Sequence, residues 1–185
     1  MKRSMINTPD EEFLELANNI LNDEKFKLLK KDRHHGTNKY DHCKRVSYLS
    51  YRIAKFFNSD YKSIVRPALL HDFFYGERTE KPENSYLEHP KTSAANAKFY
   101  FDADEKEQSI IRTHMFHHLL LRKVFPFINI HENAKLKDNT PKSREAWIVC
   151  ISDLLVSIGE VSKYKVNYSV YLIALFLINV FTVNR

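Results

Sequence analysis

An imidazole and a carboxylate stand side by side at His71-Asp72, directly after the apolar run Ala68-Leu69-Leu70. Polar groups at the end of a buried segment are costly unless something pairs with them. A divalent cation is one such partner, because neutral imidazole and carboxylate ligate Zn, Fe, Mn and Ni alike. In a chain with 9 His, the dipeptide alone is also compatible with chance adjacency. Two distant positions sharpen the reading. His42 lies 29 residues before His71, and Asp153 lies 81 residues after Asp72. Val46 and Leu49 follow His42, while Ile151, Leu154 and Leu155 surround Asp153. A buried aspartate requires a partner. A histidine, a His-Asp pair and a distant aspartate, each on its own helix, can converge on one cation from different sides.

The elements that would carry these residues read as helices. Only 3 Gly occur in 185 residues, and long segments lack breakers, which favours an all-α fold over a many-turned β fold. Helical spacing of Phe13, Leu14, Ala17, Ile20 and Leu21 marks a first helix, with a short turn at Phe26, Leu28 and Leu29. His34 to Asn38 form a polar break. A stronger helix follows from Asp41, with Val46, Leu49, Ile53, Phe56 and Phe57 on one side. Asp60 opens the helix that ends at His71-Asp72. His89-Pro90 starts another, with proline in its favoured first turn. Asp102 or Asp104 caps a helix running through Ile110, Ile111 and Met115. A late helix turns Trp147, Ile148, Ile151, Leu154, Leu155 and Ile158 inward around Asp153. Residues 73–88 and 125–141 read as loops.

The length suggests a single domain, 1–185, with a core at about 38–160, an N-terminal helical segment at 8–31 and an apolar helix at about 166–183. That last stretch is short of the roughly 20 apolar residues of a membrane span. It fits a core or dimer-forming helix, and membrane attachment stays open. Cys43 and Cys150 have no framework spacing and no apolar leader follows Met1, so a reduced, cytoplasmic protein is expected. The net charge of +6 favours acidic ligands, but no run of five or six like charges singles out nucleic acid.

The stretches Tyr40-Asp-His-Cys-Lys-Arg-Val46, Ala68-Leu-Leu-His-Asp-Phe73 and Cys150-Ile-Ser-Asp-Leu-Leu155 carry a resemblance. Together they resemble the HD-domain metal-dependent phosphohydrolases, in which a histidine, a His-Asp doublet and an aspartate occur in this order on a helical bundle. The chain is also similar to small bacterial HD proteins with His-Pro-Lys and a later Thr-His-Met, here His89-Pro-Lys91 and Thr113-His-Met115. The resemblance implies a divalent ion held by His42, His71, Asp72 and Asp153. In members with a second ion, further histidines hold it, and His89 and His114 stand where those would fall. Such members often place adjacent histidines after the His-Pro helix. This chain has His114-Met115, with His117-His118 a turn later, so one ion or two remain open. His117 and His118 are expected at the mouth of the cleft or in solvent.

The implied reaction is hydrolysis of a phosphate ester or anhydride, with a nucleotide or another small phosphorylated compound as substrate. Asp72 is the candidate proton acceptor. Arg45, three residues after His42 and so on the same helix face, is a candidate phosphate contact, as is Lys91 on the His-Pro helix. Both are equally compatible with surface ion pairs. No Walker-type glycine loop is present, nor the Gly-Tyr-Pro signature of HD proteins that cleave cyclic dinucleotides. A non-catalytic module binding a nucleotide or partner protein is the alternative. Degenerate members usually lack a ligand, whereas here all four core positions are intact.

Overall fold

The computed structural model describes residues 9–34, 37–76, 88–118 and 139–161. The expected loops beyond Gly76 and around residues 125–138, and the apolar tail, lie outside them. The chain is all-α: among the described residues, the only strands are β1 (Arg33–His34) and β2 (Thr37–Asn38), an antiparallel pair two residues long. Helices whose bounds lie within the described residues are α1 (Pro9–Leu21), α2 (Glu24–Lys27), α3 (Lys39–Phe56), α4 (Tyr61–Leu70), α5 (His89–Phe101), α6 (Glu105–Arg112) and α7 (Arg144–Val161). A 3-10 turn at Leu28–Lys31 follows α2.

Local chemistry accounts for the helix ends. Asp23, Asn38, Asp60 and Asp104 each accept backbone N–H groups at an N-cap, and Asp104 with Glu107 completes a capping box. Asp104 is therefore the cap of α6. Asp102 ends α5 in the left-handed region, at φ 52°. Asn58 does the same after α3, at φ 51°, where Ser59 N bonds back to Ala54 O and Asn58 N to Lys55 O. That Schellman arrangement turns the chain sharply into α4.

The inward face of α3 differs from the expected one. Phe56 and Phe57 are 80% and 44% exposed, whereas Cys43, Val46, Ser47, Ser50, Tyr51 and Ala54 are buried. Small side chains let α4 approach closely, and Ser47 Oγ donates to Val65 O at 2.9 Å across that contact. Apolar content alone does not reveal such a face. On α7 the buried run is Ile148 to Asp153, while Trp147, Leu154, Leu155 and Ile158 are half-buried. Helix α6 ends at Arg112 rather than continuing through Met115, and residues 113–115 form a turn.

The core joins Phe13, Ala17 and Ile20 of α1 to Ile64, Val65, Leu69 and Leu70 of α4 and to Ile110 and Ile111 of α6. Glu12 ties α1 to its neighbours: Tyr51 and Tyr61 donate to it at 2.8 and 3.0 Å, and Lys55 pairs with it. No described helix is long and apolar enough to cross a membrane.

Candidate metal centre

Five elements bring six donors together: His42 from α3, His71 and Asp72 from the end of α4, His89 from the start of α5, His114 from the turn after α6, and Asp153 from α7. All are buried, each at most 1% exposed. His71 follows α4 as its C-cap, and Phe73 N bonds to Leu70 O while Phe74 N bonds to Asp72 O. The resulting tight turn swings both polar side chains out of the helix and toward α7 and α5.

The donors form two overlapping groups. In the first, His42 Nε2 lies 3.1 Å from Asp153 Oδ1 and 3.3 Å from His71 Nε2, and His71 Nε2 lies 3.7 Å from Asp153 Oδ1. In the second, Asp72 Oδ1 lies 3.1 Å from His89 Nε2 and 3.6 Å from His114 Nε2, and those two nitrogens are 3.0 Å apart. His42, His71 and Asp153 could hold one ion, and His71, Asp72 and His114 another. His71 belongs to both.

The chemistry of the donor set fits a divalent cation. His71 Nδ1–H donates to Ala68 O and His114 Nδ1–H to Ile111 O, each at 2.7 Å. Both carbonyls lie three residues back, in the turn each ring closes. Those bonds fix the tautomer that leaves Nε2 with a lone pair aimed into the cluster. Burial, with repulsion from His71 and His89, outweighs the pull of Asp72 and pushes His114 down to about 4, so its ring is neutral near pH 7. Burial would also depress His42, but hydrogen bonds to Asp153 and Glu160 outweigh it and raise His42 to about 9. Asp153 is opposed by burial yet held well below the usual carboxylate range by His42 and His71. A cation held by the first group would take the place of the His42 Nε2 proton and supply the charge the buried Asp153 carboxylate needs.

Arg45 and Lys91 sit outside the cluster in ion pairs. Arg45 Nε donates to Glu160 Oε1 at 2.8 Å, and its Nη2 to Thr37 Oγ1 at 2.8 Å; Lys91 pairs with Glu88 at 2.6 Å. His117 is turned inward rather than to solvent, with Nδ1 3.2 Å from His114 O and 3.7 Å from Cys150 Sγ. The turn at residues 113–115 redirects the chain so that this ring faces α7.

Two residues escaped the sequence reading. Glu160 Oε2 lies 2.9 Å from His42 Nδ1, and its spacing from Asp153, seven residues, was a usable signal. Lys39 is 1% exposed, with Nζ bonded to Phe74 O at 2.9 Å, to Gly76 O and to Asp32 Oδ2 at 3.3 Å. Burial lowers its affinity for protons, against the pull of Asp72 and Asp32. No sequence pattern announces a lysine buried in this way.

A family model described as HD domain matches residues 40–157, well over half of the chain. No curated protein and no solved structure matches.

Proposed function

The chain belongs to the HD-domain family, and from that membership we propose that it is a metal-dependent phosphohydrolase. Its substrate in this reading is a nucleotide or another small phosphorylated compound. The observation that carries the proposal is the convergence of buried side chains into two groups that share His71, His42–His71–Asp153 and His71–Asp72–His114, with the buried His89 3.1 Å from Asp72. His42, His71, Asp72 and Asp153 would hold one divalent ion, with His89 and His114 completing a place for a second. Mn, Fe, Ni, Zn and Mg are the candidates. Bound there, such an ion polarises a phosphoryl oxygen and brings the pKa of water toward neutrality.

The protein's own groups do the rest. The Asp72 carboxylate, between His71 and His89, accepts the proton of the attacking water. Arg45 and Lys91 exchange their present carboxylate partners for the substrate phosphate, Arg45 through its forked guanidinium and Lys91 as a point charge. The overall excess of positive charge, +6, favours approach of an anionic substrate. A cytoplasmic location accords with the two free, buried cysteines.

The test is metal analysis of the purified protein beside Asp72→Ala, with both screened against phosphomonoesters, phosphodiesters and nucleoside polyphosphates. Each screen is run with added Mn, Fe, Ni, Zn or Mg. Bound metal and turnover in the wild type, with turnover lost by about 100-fold or more in the variant, are expected. Absence of metal and of turnover under every ion would overturn the proposal and leave a helical binding module.

A further inference from the structure

Glu160 belongs to neither donor group, yet it touches one of the donors. Its Oε2 accepts the Nδ1–H of His42 at 2.9 Å, and its Oε1 accepts from Arg45 Nε at 2.8 Å. The carboxylate is largely buried, with 9% of the side chain exposed. Asp153 and Glu160 are seven residues apart on α7, close to two helical turns, so both face the same way. One helix thus holds the His42 ring at both ends, Asp153 Oδ1 at Nε2 and Glu160 Oε2 at Nδ1.

A neutral imidazole binds metal through one nitrogen while the other carries the proton, and that proton needs an acceptor. His71 and His114 use backbone carbonyls for this. His42 lies within α3, where the carbonyls are engaged in the helix ladder, so its acceptor comes from a side chain. We infer that Glu160 is a positioning residue of this centre. It holds His42 with Nδ1 protonated and Nε2 turned to the ion, and in the substrate-free protein Arg45 fixes the carboxylate in place. The inference rests on the reading of the cluster as a metal centre and goes beyond it, since Glu160 contributes no ligand atom.

Metal-free wild type, Glu160→Ala, Glu160→Gln and Arg45→Gln are titrated with Mn²⁺ and with Zn²⁺ by calorimetry, beside circular dichroism and melting of each apoprotein. Glu160→Ala is expected to bind about 10- to 100-fold more weakly, the usual effect of losing a partner of a ligating histidine. Glu160→Gln, nearly isosteric and still able to accept through its amide oxygen, loses less and keeps the test valid should the alanine variant fold poorly. Arg45→Gln leaves the acceptor in place and also loses less. In ¹⁵N-histidine spectra of the Zn²⁺ form, the wild type shows His42 protonated at Nδ1, and Glu160→Ala alters that signal. Wild-type affinity in both Glu160 variants overturns the inference while the metal centre stands. Equal losses in Arg45→Gln and Glu160→Ala also overturn it, reducing Glu160 to a tether between α3 and α7. A wild type that binds neither ion fails earlier, at the metal centre itself.

Discussion

His71 Nε2 and Asp72 Oδ2 stand 4.0 Å apart, yet these adjacent residues serve different neighbours. His71 reaches His42 and Asp153, while Asp72 turns its other oxygen to His89 and His114. The doublet is thus the seam between two donor groups, and each group can be dismantled by itself.

Removing His89 or His114 takes donors from the second group alone. His89→Ala and His114→Ala are expected to lower the metal stoichiometry from two to one, whereas Asp153→Ala removes the ion of the first group. Elemental analysis of the three variants decides this. A stoichiometry of one in the wild type, unchanged in both histidine variants, would show that only one ion is held.

His42 would couple metal loading to pH. Burial opposes its protonation, but the bonds to Asp153 and Glu160 raise it from 6.5 to about 9. A raised histidine stabilises the metal-free fold fully below pH 6.5, and that stabilisation is lost as pH rises through about 9. Metal must displace this proton, so binding near pH 7.5 should release about one proton and tighten as pH approaches 9. Calorimetry in two buffers of different ionisation enthalpy reads the number directly, and zero release would contradict the bonding described.

Lys39 holds the turn that follows Asp72. Its ammonium satisfies the carbonyls of Phe74 and Gly76 and lies 3.3 Å from the centre of the Phe74 ring. Lys39→Met keeps the bulk and removes the donors. Leaving buried carbonyls unpaired should cost about 1–3 kcal/mol, measurable by urea unfolding of the metal-free protein. Unchanged stability would mean that water or another donor takes over.

Glu12 sets the acid limit of the α1 attachment. Its bonds to Lys55 and Tyr51, with a smaller one to Tyr61, lower it from 4.5 to about 2. A depressed carboxylate stabilises the fold above pH 4.5, and that contribution is lost as pH falls through about 2. Glu12→Gln should therefore melt below the wild type at pH 6, and the two should converge toward pH 2. Parallel pH profiles would show that the carboxylate charge is not what anchors α1.

The sequence by itself determined the helical character and several helix starts, because caps such as Asp60 and Asp104 act on backbone groups within three residues. It also displayed the donors, since His71-Asp72, His42 and Asp153 are polar groups in apolar surroundings. Tertiary structure decided the rest. That His42 meets Asp153 and Glu160, 111 and 118 residues away, depends on how α3 lies against α7, which no local pattern encodes. That Phe56 is exposed while Lys39 is buried runs against the residue types themselves. Local propensity reads only near neighbours along the chain. Burial, and with it the charge of the donors, is settled by which helices pack together.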